Sequence, residues 1–292
     1  MTSPPPVPEG SKAQIALTGT PATLLFTLRA RLVDLHTPTP ILNDKWADYV
    51  AQQIDYDFDT INLPGTSKDI LCSRTARFDK WTRDFLAAHK DEPVTILHLA
   101  CGLDARAHRV DWGHNVRWID FDLPDVVALR RTLIPEPTGD YTLLAGSVLD
   151  SSVLSSIPAD RPTAVIAEGL IFYLEVPQQE ELIRQLCTHL PSGSSELLFD
   201  ILSPGVVTMQ KWQRGLGWWL SSGDWMAKQG AGFVAGTANP EGLESLHPGL
   251  KLREKVGWTG IMENPTMAHR LLQAVQWLPL PVLDGFCLRY TF

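Results

Sequence analysis

The sequence predicts an α/β fold of the nucleotide-binding kind, and three stretches carry that expectation. The first is Val94–Leu99, a short apolar run of strand character. It breaks into the small residues Ala100-Cys101-Gly102 and then into a segment able to start a helix, with Asp104 placed to cap it. Strand, tight turn and helix form the opening unit of such a fold. The second is the run over residues 116–124, which carries Asp120 and Asp122 about twenty positions after the turn, where a carboxylate can accept hydrogen bonds from both hydroxyls of a ribose. The third is Thr163–Ala167, which is apolar without alternation, as a central parallel strand covered on both faces should be. It runs directly into Glu168-Gly169.

The turn does not read Gly-x-Gly-x-x-Gly. Only Gly102 of that pattern is present, so a dinucleotide pyrophosphate site is poorly supported. Small residues such as Ala100 and Gly102 still let the backbone approach a ligand, and a helix N-terminus offers unpaired N–H groups.

Composition narrows the classes. The 292 residues suffice for one large domain with a cap or lid, and a net charge of −8 gives no basic face for nucleic acid or an anionic membrane. No apolar run is long enough to span a bilayer. The proline-rich start lacks the basic-then-apolar form of a signal peptide. Four scattered cysteines without a Cys-x-x-Cys pair speak against a zinc site or disulfide framework and suit a reducing cytosol. A cytoplasmic protein without metal, nucleic-acid or membrane partners is the expectation.

Taken in order, residues 1–20 read as a disordered tail. Residues 21–36 read as a helix with Leu24, Leu25, Leu28 and Leu32 on one face, stopped by Thr37-Pro38-Thr39-Pro40. Residues 44–54 read as a second helix and 71–89 as a long third one carrying Arg74 and Arg77. Together, 21–90 form a helical cap. A core over 91–205 adds helix 125–133, strand 141–144, the turn Ala145-Gly146-Ser147-Val148, helix 177–190 and strand Glu196–Leu202. Residues 206–245 change character, with Trp212, Trp218, Trp219 and Trp225 among glycines. They read as a helical lid over an apolar substrate or, equally plainly, as a satellite hydrophobic cluster. Residues 246–292 read as closing strands, with Phe286, Leu288 and Tyr290 alternating against Cys287, Arg289 and Thr291 like a half-buried antiparallel strand.

Three ordered stretches, Leu99 to Arg106, Ile119 to Pro124 and Ala167 to Leu174, make the chain resemble the leucine carboxyl methyltransferase family. The resemblance is close over residues 22–202 and loose beyond. It implies a Rossmann-like class I core that binds S-adenosylmethionine, with N-terminal helices covering the substrate side. It also implies roles for particular residues. Arg74 would meet the cofactor carboxylate, as a guanidinium fork suits it; Arg77 is the runner-up, and a surface arginine paired with Asp69 or Asp79 is the plain alternative. Ala100 and Gly102 would form the turn around the cofactor. Asp122 would hold the ribose, with Asp120 as the alternative. Glu168 would meet the cofactor's ammonium. At the adenine edge the family often carries an acidic residue followed by leucine. Here Ser147-Val148 stands in that place, a weaker acceptor, with Asp150 either compensating or capping the next helix. Tyr173, Trp218 and Trp219 are candidates to line the substrate, and Tyr173 is equally a core residue. Asp104 and Arg106 are expected to stabilise the turn rather than touch chemistry, and Cys101 to line the pocket.

The activity so implied is O-methyl transfer to a small-molecule carboxylate, an aromatic or hydrophobic acid of secondary metabolism. A carboxylate is ionised near neutral pH and needs no general base, and none can be assigned: His36, His189, His247 and His269 lie outside the motifs, and His98 reads as structural. A phenol or alcohol acceptor, a protein C-terminus, or a module that binds the cofactor without transferring methyl are the competing readings.

Overall fold

The computed structural model describes residues 2–63, 65–216, 223–262 and 284–292. In chain order the elements are α1 (Leu24–Leu35), α2 (Lys45–Gln52), α3 (Gly65–Ala88), β1 (Val94–Leu99), α4 (Arg106–Arg109), β2 (Val116–Asp122), α5 (Pro124–Leu133), β3 (Asp140–Ala145), α6 (Ser151–Ser155), β4 (Thr163–Ala167), α7 (Val176–His189), β5 (Glu196–Leu202), α8 (Pro204–Leu216), α9 (Gly223–Lys228), β6 (Lys251–Gly257) and β7 (Gly285–Thr291). The strands form one sheet in the order β3-β2-β1-β4-β5-β7-β6. Strands β1 to β5 pair in parallel, and β7 lies antiparallel between β5 and β6. This is the Rossmann-like class I methyltransferase arrangement. Its strand order reverses between β1 and β4, and open α/β sheets bind ligands beyond the strand ends at such a switch point.

Alternation along β1 assigns its two faces. Val94 and Ile96 join Phe78, Trp81 and Phe85 of α3, while Leu97 and Leu99 join Leu182, Ile183 and Leu186 of α7. Every residue of β1, β4 and β5 is buried, the reason these strands read as continuous apolar runs. The alternation expected of β7 holds from Leu288 to Thr291, with Leu288 and Tyr290 buried on the α7 side and Arg289 and Thr291 half-buried. It is corrected at Cys287, which is buried on the α3 side, and at Phe286, which is half-buried.

Helices α1 and α2 pack over the C-terminal end of β1 and over α5, with Leu28, Trp46 and Val50 against Leu103, Ala105, Val126 and Leu133. The tail departs from its expected disorder. Thr2 N–H donates to the His108 carbonyl at 3.0 Å, Trp46 Nε1 donates to the Thr2 carbonyl at 2.9 Å, and Ala13 bridges Ile54. Val7, Ile15 and Leu17 cover apolar surface of the cap, which gives a polar-looking segment something to bury. Among the described residues no helix is long and apolar enough to cross a membrane.

Candidate active site

At the switch point lies a cavity of about 500 Å³, within the range of small-molecule sites. Its lining includes all the predicted contact residues the structure describes: Arg74, Ala100, Gly102, Asp122, Ser147, Val148, Glu168 and Tyr173. Trp218, Trp219 and His269 lie outside the described residues.

The turn after β1 is bent to face the cavity. Ala100 takes φ 51° and Gly102 φ 50°. For a residue with a Cβ this left-handed conformation costs on the order of 1 kcal/mol and persists where the surroundings impose it. Here Gly102 N–H donates to Asp122 Oδ2 at 2.6 Å, clamping the turn to the end of β2. Asp104 does not cap the next helix as expected. The N-cap of α4 is Ala105, without a side-chain cap, and the Asp104 carboxylate instead meets Arg31 at 3.4 Å, Arg106 at 3.2 Å and Arg109 at 2.9 Å. Three guanidinium groups outcompete a helix N-terminus of partial charge.

The two aspartates of β2 separate by strand alternation. Asp120 is fully buried and engaged by His98, Trp118, Arg130 and Tyr141. Burial opposes its ionisation, but Arg130 and His98 win and hold its acid at about 2. Asp122 reaches the cavity. Burial raises its pKa, against the N–H groups of Gly102 and Leu123. At the far edge Ser147 accepts Leu149 N–H at 3.2 Å beside the exposed side chains of Leu123 and Leu149. Asp150 caps α6 through Ser152 N–H at 3.0 Å and does not compensate there.

The opposite corner is charged. Glu168 accepts from Arg74 Nε at 3.0 Å, from Thr75 Oγ1 at 2.7 Å and from Arg106 Nη2. Burial pushes the Glu168 acid up, but Arg74 and Arg106 more than offset this and hold it below the usual range. Arg74 also donates through Nη1 to Asp200 Oδ2 at 3.0 Å, with its guanidinium carbon 5.3 Å from the Trp258 ring centre. Its pairing is therefore neither Asp69 nor Asp79. Two of its five N–H donors meet these carboxylates. Arg77 pairs with Glu254 of β6 at 3.2 Å, away from the cavity. Arg106, expected to steady the turn, is fully buried and joins Asp79, Asp104, Glu168 and His98.

Beyond this corner the wall is apolar. Phe172, Tyr173, Met226, Phe233 and Trp258 line it together with Thr23. Tyr173 both borders the cavity and packs into the apolar cluster of the cap. It faces the cavity and packs on Phe172 and Phe233, and burial raises its phenol to about 12. Trp225 belongs to the cap cluster, stacking on Phe26 and donating Nε1–H to Tyr56 Oη at 3.0 Å. Sequence reasoning missed Arg31, Asp200, Met226, Phe233 and Trp258. Asp200 at the end of an apolar strand was the one legible signal among them, since ligand sites gather at such ends.

Carboxylate, guanidinium and close backbone at one switch point suit a ligand with a ribose in its middle and a zwitterionic amino-acid end. Comparison with known proteins agrees. Residues 25–187 match the leucine carboxyl methyltransferase family. The tetracenomycin polyketide synthesis O-methyltransferase TcmP of Streptomyces glaucescens is 39% identical, over 87% of both chains. The S-adenosyl-L-methionine-dependent methyltransferase dpfgK of Gibberella zeae is 34% identical, over 96% of this chain and 98% of its own. Among solved structures, a DUF574 family protein of Streptomyces avermitilis shares the fold at TM-score 0.55 and 13% identity, over 91% of this chain and 96% of that one. Family match, full-length relatives and sheet order agree, and the chain belongs to the leucine carboxyl methyltransferase family as an S-adenosylmethionine-dependent methyltransferase.

Proposed function

We propose that the enzyme methylates the carboxylate of a small hydrophobic or aromatic acid in secondary metabolism, giving a methyl ester, and that it works in the cytosol. Bound in the cavity, S-adenosylmethionine supplies an electrophilic methyl group. Asp122 would hold its ribose, Glu168 and Arg74 its amino-acid end, and the Ser147-Val148 turn its adenine. The aromatic wall would orient the acceptor and exclude water, the main demand of an in-line displacement.

The observation that carries the reading is the state of the bases that line the cavity among the described residues. Arg106 Nη1 lies 3.1 Å from His98 Nε2, and a guanidinium only donates, so Nε2 accepts and Nδ1–H is left for Asp120. Both ring nitrogens are thereby committed. Glu168 and Asp104 are held by arginines and Asp122 by backbone N–H groups. The Tyr173 phenol keeps its proton at neutral pH. An acceptor that arrives already ionised suits this lining, and the similarity to TcmP, an O-methyltransferase of polyketide synthesis, supports an oxygen acceptor on a small molecule. The test is incubation with S-adenosylmethionine and a panel of fused-ring aromatic acids. Products that alkali returns to the free acid are esters and support the reading. Alkali-stable ethers would move the acceptor to a phenol.

A further inference from the structure

Asp200 stands outside the three motifs, yet two of the groups they point to meet on it. It is fully buried in β5, opposite Cys287 of β7. Its Oδ1 accepts Gly169 N–H at 2.7 Å and its Oδ2 accepts from Arg74 Nη1 at 3.0 Å. Gly169 has φ 70°, and a Cβ built there would stand 3.4 Å from Arg74 Nη2. One carboxylate thus ties down both the guanidinium and the left-handed turn that makes room for it. Glu168 holds the Nε edge of the same guanidinium and Trp258 lies under its face, so Asp200 determines which way the remaining N–H donors point.

We infer that Asp200 is a positioning residue for cofactor binding: its ionised carboxylate aims Arg74 into the cavity, and protonation of Asp200 releases that aim and weakens binding. The inference rests on the assignment of Arg74 to the cofactor's amino-acid end. Each carboxylate oxygen accepts one donor, and an added proton removes the negative charge that pairs with Arg74 and makes the oxygen that carries it a poorer acceptor. The groups facing Asp200 are Arg74 from α3, Glu168 and Tyr173 from the segment after β4, and Cys287 from β7. Burial raises the Asp200 acid to about 6, Arg74 opposing and the Glu168 charge assisting, which puts its titration in an accessible range.

The experiment is calorimetric titration of the whole protein with S-adenosylhomocysteine from about pH 8 down to about pH 5, for wild type, Asp200→Asn and Arg74→Gln. Wild-type affinity is expected to fall by about tenfold as pH drops, with its midpoint near the Asp200 titration. In Asp200→Asn an amide NH₂ or a single oxygen must serve two donors. This variant should bind about tenfold more weakly at pH 8 and show no pH step. A flat wild-type profile overturns the inference, and this arm needs no variant to fold. The same step persisting in Asp200→Asn also overturns it. Arg74→Gln binding like wild type overturns the Arg74 assignment together with the inference, whereas Arg74→Gln weakened beside an unaffected Asp200→Asn removes only the role of Asp200.

Discussion

The two ends of the cavity are built in opposite ways. At the Glu168 corner, charged side chains from α3, α4 and the ends of β4 and β5 interlock, and Arg106 and Asp200 have no exposure at all. At the proposed acceptor end the wall is made of rings and methyl groups from segments far apart in the chain, from Thr23 to Trp258. The charged corner is rigid because each buried charge must keep its partners or lose several kcal/mol. The side chains of the apolar wall are held mainly by burial, which is non-directional and tolerates exchange of one hydrophobic side chain for another. Such a division suits the proposed placement of the cofactor at the charged corner and of the acceptor against the apolar wall.

The largest effect should come from breaking the charged corner. Arg106→Met leaves Asp79, Asp104 and Glu168 short of a buried partner, and we expect a loss of about 3–5 kcal/mol in urea unfolding. A loss below about 1 kcal/mol would mean that the remaining arginines compensate, and the corner would be less rigid than described. Asp122→Ala comes next. It should weaken S-adenosylmethionine binding by about 1–3 kcal/mol in calorimetry, and unchanged affinity would remove the ribose role from this residue.

Acid sharpens the comparison further. The Asp120 acid is lowered in the folded state, from 3.8 to about 2. Its stabilising contribution is therefore complete above about pH 4 and lost as pH falls through about 2. Unfolding free energy should drop by roughly 2 kcal/mol across that window from this group, and a flat stability profile there would contradict the Asp120–Arg130 pairing.

Gly169→Ala should cost about 1 kcal/mol of stability through its positive φ. It should also disturb cofactor binding more than acceptor binding, because the added methyl approaches Arg74. Smallest of all should be Phe233→Leu on the apolar wall. It keeps a hydrophobic side chain of adequate size, so KM for the acceptor should change by only a few-fold while cofactor affinity stays put. If cofactor affinity moved instead, the two ends would not be separable.

The parallel core was legible because its strands are buried on both faces and its turn needs small residues. Val94–Leu99 and Thr163–Ala167 have the bounds expected of them. The spacing after Gly102 pointed to Asp120 and Asp122 alike, and the family resemblance favoured Asp122, the one of the two that lines the cavity. Asp104 misled, because a helix-capping pattern looks the same whether or not Arg31 arrives from α1 and Arg106 and Arg109 of the next helix turn back onto the carboxylate. The tail misled likewise, since its few apolar residues find a surface only once the cap has formed. Trp225 carried no sign of whether it would face substrate or the cap.

By itself, then, the chain's local order determined the class I core, the cavity-facing turn and the identity of the residues that end its strands. Periodicity, small-residue turns and strand-end carboxylates all act over a few neighbouring positions. Tertiary structure alone decided how those charges pair. Arg74 and Asp200 are separated by 126 positions, and Arg106 and Glu168 by 62. An ion pair depends on distance in space, which sequence separation does not encode. The acceptor wall was decided in the same way, because hydrophobic burial selects no particular partner until packing brings the surfaces together.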